Sequence, residues 1–313
     1  MSKSPMLASP VNLASLRYPV SVSPKLDGIR MLCDNSFATI GLSRAMKPFP
    51  NVHLNQLLME AELDGQSLHG LDGELIVGDP MAPDVFNTTQ SVIMSKNSTQ
   101  PFTFWVFDDW TSSSEALFRR SSIHNRKEVG LLPSWVKVLE HFTCHDEAQL
   151  LRLEAQALDE GYEGLMIRSF RPMRKGQINH AYKWGRSTDK EQLLLKLKRF
   201  SDDEATIIDV EELQRNLNTP LPNERGLIQR SSHAAGLVSG NCLGALVVKV
   251  ITGPFTGATV SIGSGFTEYQ RDMFWRHSAT LLGRTITFKY LKHGAKDAPR
   301  HPVFKGFRQE FDL

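Results

Sequence analysis

The stretch Pro24-Lys25-Leu26-Asp27-Gly28-Ile29-Arg30 sets a lysine two residues before Asp-Gly and an arginine two residues after the glycine. A lysine amine becomes a nucleophile once it loses its proton, and its free pKa is about 10.4. A buried, cation-rich setting lowers that value and exposes the lone pair. Asp27 can hold the amine or a nearby metal. Gly28 lets the backbone approach a bulky ligand closely or take a positive φ. Arg30 offers a planar fork suited to phosphate or ribose oxygens. A surface Lys-Asp pair at a turn has the same composition, so the stretch needs company before it means chemistry.

Company follows along the chain. In Leu193-Leu194-Leu195-Lys196-Leu197-Lys198, alternation places Lys196 and Lys198 on one strand face and Leu195 and Leu197 on the other. Two neighbouring like charges repel unless an anion sits between them, which points to a phosphate. Solvated lysines with their stems on the surface are the competing reading. In Leu71 to Val77, Asp72 and Glu74 share a strand face. Glu163 opens Glu163-Gly164-Leu165-Met166-Ile167-Arg168, which reads as a strand start.

The elements that must position these residues are legible as alternating strands and helices. Gly28 to Asp34 and Ser36 to Leu42 read as paired strands, followed by Ser43-Arg44 and Lys47. Asn51 to Glu62 reads as a helix with Asn51 as N-cap, and Pro83 to Lys96 as another. The apolar run Phe102 to Asp108 suggests a strand buried on both faces. Glu115 to Leu132 reads as a helix and Val136 to Cys144 as one further strand. Asp146 to Glu160 is helical, with Leu151, Ala155 and Leu158 at i, i+4 and i+7, and Gly161 closes it. Beyond Phe200 the pattern changes to short strands at Ala205 to Val210, Ala245 to Ile251, Thr259 to Ile262 and Thr285 to Tyr290. A helix at Thr267 to His277 interrupts them. Short strands with Gly-rich turns suggest a small OB-type barrel. A long polar segment, Leu213 to Leu243, reads as a functional or mobile loop.

Composition bounds the reading. With 313 residues, 41% hydrophobic and 22% charged, the chain has the length for two domains and the make-up of a globular protein. No apolar run approaches membrane-helix length, and no secretory leader is visible. Three dispersed cysteines support neither a zinc site nor a disulfide framework, so a reducing, cytoplasmic setting is expected. The net charge of +2 is too mild to signal nucleic acid. Basic residues do cluster, at Arg119-Arg120, Arg126-Lys127, Arg171 to Lys175, Lys196 to Arg199 and Lys289 to Arg308. Such clusters track a phosphate backbone or are ordinary solvated faces. His53, His180 and His233 show no metal-ligand spacing.

Taken together and in order, these motifs resemble those of the ATP-dependent DNA ligases of the covalent nucleotidyltransferase superfamily, in their minimal, two-domain viral form. The resemblance runs from about Val22 to Arg308. It rests on Lys25 to Arg30, Ser43-Arg44, Asp72-Gly73-Glu74, Trp105-Val106-Phe107-Asp108, Glu163 to Arg168, Leu195 to Lys198, and the ending Pro299 to Arg308. It implies an α+β chain. A nucleotidyltransferase domain of ATP-grasp-like antiparallel sheets with helices would occupy residues 1–200, and an OB-fold β-barrel 201–313. A latch-like DNA-binding insertion would lie at about 213–243, mobile without DNA.

The resemblance also implies roles. Lys25 attacks the α-phosphate of ATP and forms lysyl-AMP, with Lys196, Lys198 and Asp27 completing the catalytic set. Arg30, Glu74, Phe107 and Arg186 join the lysines in holding the nucleotide, Phe107 by stacking on adenine. Glu163 and Glu74 are the metal carboxylates for Mg²⁺, with Mn²⁺ as a substitute. Arg30, Arg44, Arg225 and Arg230 contact nicked duplex DNA, and the protein is expected to be a monomer. Core packing of Phe107, a solvated Glu74, and pairing of Arg186 with Asp189 or Glu191 are the plainer alternatives. At the level of function, the rivals are an RNA ligase, a GTP-dependent mRNA guanylyltransferase, and a non-catalytic OB-type nucleic-acid-binding protein.

Overall fold

The computed structural model describes residues 4–35, 39–170, 182–222, 228–231 and 233–308. The expected strand start at Ser36, the basic cluster Arg171 to Lys175, His180 and Arg225 lie outside the described residues. The chain divides into two compact units, Met1–Arg199 and Phe200–Leu313.

In the first unit the strands are β1 (Ser9–Pro10), β2 (Val20–Pro24), β3 (Ile29–Asp34), β4 (Ile40–Ser43), β5 (Leu71–Ile76), β6 (Thr103–Asp109), β7 (Val136–Val138), β8 (Phe142–Cys144), β9 (Leu165–Ser169) and β10 (Leu195–Leu197). The helices are α1 (Val52–Leu63), α2 (Val85–Ile93), α3 (Ala116–Glu128) and α4 (Glu147–Asp159). They build two five-stranded sheets, in the orders β4-β3-β5-β6-β7 and β1-β10-β9-β2-β8. The sheets are antiparallel except at two edges, where β6 pairs with β7 and β1 with β10 in parallel.

Local chemistry explains several boundaries. The Asn51 side chain accepts from the Leu54 amide at 2.7 Å and caps α1. At the end of α4, the Gly161 amide donates to the Leu158 carbonyl and the Tyr162 amide to the Ala157 carbonyl, a Schellman closure. The buried stripe of α4, however, is Leu150, Glu154 and Ala157, while Leu151 and Leu158 are exposed. Glu154 occupies a core-facing position because Arg199 neutralises it through a two-pronged pair at 2.7 and 2.6 Å.

Two strand expectations need correcting. β6 is not buried on both faces. Phe104 and Val106 enter the main core, while Trp105 and Phe107 are half-buried on the opposite side. Val136 to Cys144 is not one strand, because the chain changes sheets at 139–141: β7 joins β6, and β8 joins β2.

The second unit contains β11 (Ser201–Asn216), β12 (Pro220–Pro222), β13 (Ile228–Arg230), β14 (Leu237–Val250), β15 (Thr259–Ile262), α5 (Glu268–Arg276), β16 (Thr285–Leu291) and β17 (Arg300–Phe307). Five strands pair in the order β15-β14-β11-β16-β17. The Phe304 amide donates to the Ser264 carbonyl at 2.9 Å and joins the two edges. Ile207, Leu246, Val248, Phe288 and Tyr290 fill the interior. The reciprocal Thr267–Gln270 capping box starts α5 where the sequence places it.

The polar segment Leu213 to Leu243 is not a plain loop. β11 and β14 extend far past their predicted ends and remain paired through Gln214–Ser239, Arg215–Val238 and Asn216–Leu237. Beyond them β12 and β13 form a smaller antiparallel pair. The polar residues hid this ribbon, because a two-stranded arm with both faces exposed shows no apolar alternation. β17 was also unread as a strand.

Candidate active site

Lys25 sits where the chain crosses from β2 in one sheet to β3 in the other. Its amide donates to the Gly164 carbonyl at 2.8 Å, and the Glu163 amide donates back to its carbonyl at 3.3 Å. This backbone pairing brings the Lys25 amine onto the Glu163 carboxylate. Glycine is required on both sides of the crossing. A Cβ on Gly28 would lie 2.2 Å from the Leu75 carbonyl oxygen, and one on Gly164 2.2 Å from that of Leu197.

Buried Glu163 also accepts from Lys198 Nζ at 2.9 Å. Burial by itself would raise its pKa. The Lys25 and Lys198 ammonium groups outweigh that and hold the carboxyl down at about 2. Lys196 lies on the same strand face. Burial, followed by repulsion from Lys198, Lys25 and Arg186, lowers its pKa, while Glu163 opposes the shift. Three lysines and Arg186 thus share one field, as the alternation of β10 anticipates. The expected ring of cations around Lys25 is corrected in one respect: its nearest partner is an anion. Like charges this close require a counter-charge, and Glu163 supplies it.

Opposite, on β5, Glu74 is half-buried and pairs in register with Arg30 on β3. Desolvation pushes its pKa up to about 7 against the pull of Lys25 and Arg30. Buried Asp27 contributes to the same field. Phe107 lies on the face of β6 opposite Phe104 and Val106, with the Arg30 and Arg168 guanidinium carbons each 5.6 Å from its centroid. It lies outside the main core cluster but packs against the smaller one of Leu26, Ile76, Val85 and Leu139, so the core-packing alternative stands beside the nucleotide role.

Arg30 is placed differently from its expected role as an open fork. Nε and Nη2 grip Asp72 at 2.8 and 2.6 Å, Nη1 donates to the Met6 carbonyl at 2.6 Å, and Nη2 also reaches the Tyr182 hydroxyl at 3.1 Å. The cause is strand geometry: Arg30 and Asp72 lie diagonally on the same face of adjacent strands. Arg186 is exposed and donates to the Ala8 carbonyl at 2.7 Å. Glu191, its suggested alternative partner, is held by Lys183, and Asp189 accepts from Ser15. Arg44 is exposed in the turn after β4. Arg230 belongs to the ribbon of the second unit, where it donates to the Asn218 carbonyl.

Several participants escaped the sequence reading. Asp108 binds buried Arg119 at 2.6 Å and faces Arg168 at 3.7 Å. His141 donates from Nδ1 to the Leu139 carbonyl and accepts from Arg168 at Nε2. Its pKa is lowered, first by burial and then by Arg168 and Arg120, which keeps it neutral. Periodicity over a few residues does not reveal such pairs, since Arg119 lies on a different element from Asp108 and Arg168 on another sheet.

Among the described residues no group of three or more His, Cys, Asp or Glu side chains is arranged to hold a metal ion. The donor set still suits Mg²⁺, which binds through one or two carboxylates together with substrate phosphates and water. Glu163 and Glu74 are carboxylates that could serve in this way, both within the field of Lys25.

Two opposed sheets with a lysine at their crossing, followed by a five-stranded barrel, define a covalent nucleotidyltransferase with an OB-like second domain. Comparison with known families makes this specific. Residues 5–198 match the ATP dependent DNA ligase domain, and residues 238–308 match the DNA ligase OB-like domain. The chain belongs to the ATP-dependent DNA ligase family. It is similar to the crystal structure of Chlorella virus DNA ligase-adenylate, with 30% identity, 97% of this chain and 99% of that chain covered, and a TM-score of 0.52. A Lig E DNA ligase shares the fold at 23% identity, with 98% and 100% covered and a TM-score of 0.65. The DNA ligase of African swine fever virus is 25% identical over 152 residues, which are 44% of this chain. The match spans only 34% of the length of that viral ligase.

Proposed function

We propose that the protein seals nicks in duplex DNA at the expense of ATP, through an adenylate carried on Lys25. The observation that carries this reading is the convergence of Lys25 and Lys198 on buried Glu163, with Lys196 beside them. Lys25 first gives up its ammonium proton to solvent; the free amine then attacks the α-phosphorus in line, the P–N bond forms, the bond from that phosphorus to the bridging oxygen breaks, and pyrophosphate leaves. Lys196 and Lys198 face the oxygens on which charge develops, so positioning and electrostatics do most of the work. When phosphates arrive, Lys198 gains a second anionic partner and the Lys25–Glu163 pair can open. Phe107 offers its ring to the adenine, Glu74 binds the ribose, and Arg186 assists at the phosphate.

Glu163 and Glu74 would hold Mg²⁺, which when bound offsets negative charge on the phosphates. AMP then passes to the 5′-phosphate of the nick, and the 3′-hydroxyl displaces it. Arg30, Arg44 and Arg225 serve the DNA strand, and the ribbon that carries Arg230 embraces the duplex. Backbone binding of this kind is salt-sensitive and largely independent of sequence. No described helix is long and apolar enough to cross a membrane.

The test is direct. Protein incubated with α-labelled ATP and Mg²⁺ forms an acid-labile adduct, and Lys25→Ala forms none. An adduct that survives Lys25→Ala overturns the assignment. Labelling by GTP alone marks a guanylyltransferase, sealing of nicked RNA in place of DNA marks an RNA ligase, and no labelling at all marks a binding protein.

A further inference from the structure

The N-terminal segment carries none of the motifs that mark the family, yet it is stitched into the site. The Leu7 amide donates to the Gly185 carbonyl, Gly185 to Ser4, Ser187 to Leu7, and Val11 to the Lys196 carbonyl, all at 2.8 to 3.0 Å. β1 runs parallel to β10, the strand of the paired lysines. Residues 4–11 therefore form a strap along both the Tyr182 to Ser187 stretch and that strand.

The strap meets Arg30 and Tyr182 at Met6, and Tyr182 is 7% exposed. Its hydroxyl donates to Asp72 Oδ2 at 2.7 Å and accepts from the Met6 amide at 3.0 Å and from Arg30 Nη2 at 3.1 Å. Arg30 completes the circuit by donating to the Met6 carbonyl at 2.6 Å. Burial, then the Asp72 charge, raises the phenol far above its ordinary range, so it keeps the proton it donates. Bonds to described residues engage four of the five N–H groups of Arg30, the fifth being on Nη1. The direction of that last N–H is set by whatever fixes the guanidinium plane.

We propose that Tyr182 is a positioning residue that locks Arg30 to the N-terminal strap and thereby aims its remaining N–H at the nicked strand. This rests on the reading that Arg30 serves the DNA strand. Asp72 alone would hold the guanidinium by one edge and leave it free to swing about that edge. The hydroxyl, itself held by Asp72 and the Met6 amide, and the Met6 carbonyl add a second and third anchor outside β5.

The full-length Tyr182→Phe protein tests this, because it removes one oxygen and keeps the ring. The steps are measured separately: adenylation of Lys25, AMP transfer to a nick, and sealing of a pre-adenylated nick. The expected result is an unchanged melting temperature within a few degrees and an adenylation rate reduced far less than the nick steps. Turnover at the nick falls about tenfold to a hundredfold, the scale of a small misplacement. KM for DNA changes little, because most binding comes from the backbone. Met6→Pro, which deletes the amide donor, should give the same split. In an Arg30→Lys background, Tyr182→Phe should have no further effect on the nick steps.

Equal losses at every step, failure to fold, or no loss at any step would assign Tyr182 to the scaffold or to nothing and overturn the proposal. So would an undiminished effect in the Arg30→Lys background. If Arg30→Lys itself seals nicks like wild type, the role given to Arg30 fails, whatever Tyr182 does.

Discussion

Replacing Glu74 with glutamine should make the free protein more stable at pH 8 while disabling it. The carboxyl is pushed up from the ordinary glutamate value of 4.5 to about 7, chiefly by desolvation. Each pH unit of such displacement corresponds to about 1.4 kcal/mol, so the ionised form carries a penalty of about 3 kcal/mol. The side chain keeps some contact with solvent, which reduces the expected gain to about 2 kcal/mol. The sign follows from linkage. Protonation of Glu74 favours the folded state, and that contribution is complete below the unfolded pKa near 4.5. It is lost as the pH rises through about 7. Glu74→Gln is neutral at every pH and removes the dependence.

For a unit of this size, about 2 kcal/mol is about 4 to 8 °C in melting temperature. Urea or thermal unfolding of both proteins at pH 8 and at pH 5 measures it. The gain should be largest at pH 8 and nearly absent at pH 5, and adduct formation should fall sharply at both. A variant that is less stable at pH 8, or a difference that does not change with pH, would refute the claim that a strained carboxylate is kept there for ligand.

Glu163 should behave in the opposite way. Glu163→Gln removes the anion between Lys25 and Lys198 and should cost about 3 kcal/mol at neutral pH, as breaking a buried pair does. The wild-type advantage should fade as the pH falls from the ordinary carboxylate range toward about 2, measured by unfolding across that range. Gly28→Ala should reduce both stability and the rate of Lys25 adenylation, because the new methyl meets a strand carbonyl that cannot move away. Normal adenylation by that variant would show that the crossing is looser than its contacts suggest.

The candidate site was legible to the extent that chemistry is local. Lys25 with Asp27, the alternating Lys196 and Lys198, and the cap residue Asn51 follow from spacing, because strand and helix periodicity act over a few residues. The α4 stripe was displaced by one position because Glu154 looks solvated until Arg199 is seen to neutralise it. The β11–β14 ribbon went unread because a polar two-stranded arm lacks the alternation that a core imposes.

By itself, the sequence determined which residues could do chemistry, the order of their motifs and the change of pattern near Phe200. Only the tertiary structure decided who partners whom. It placed Glu163 between two lysines and turned the fork of Arg30 onto Asp72. It also brought the N-terminal strap to Tyr182 across 176 positions. Charges seek the nearest counter-charge in space, and distance along the chain does not record how far apart two side chains lie once the sheets close.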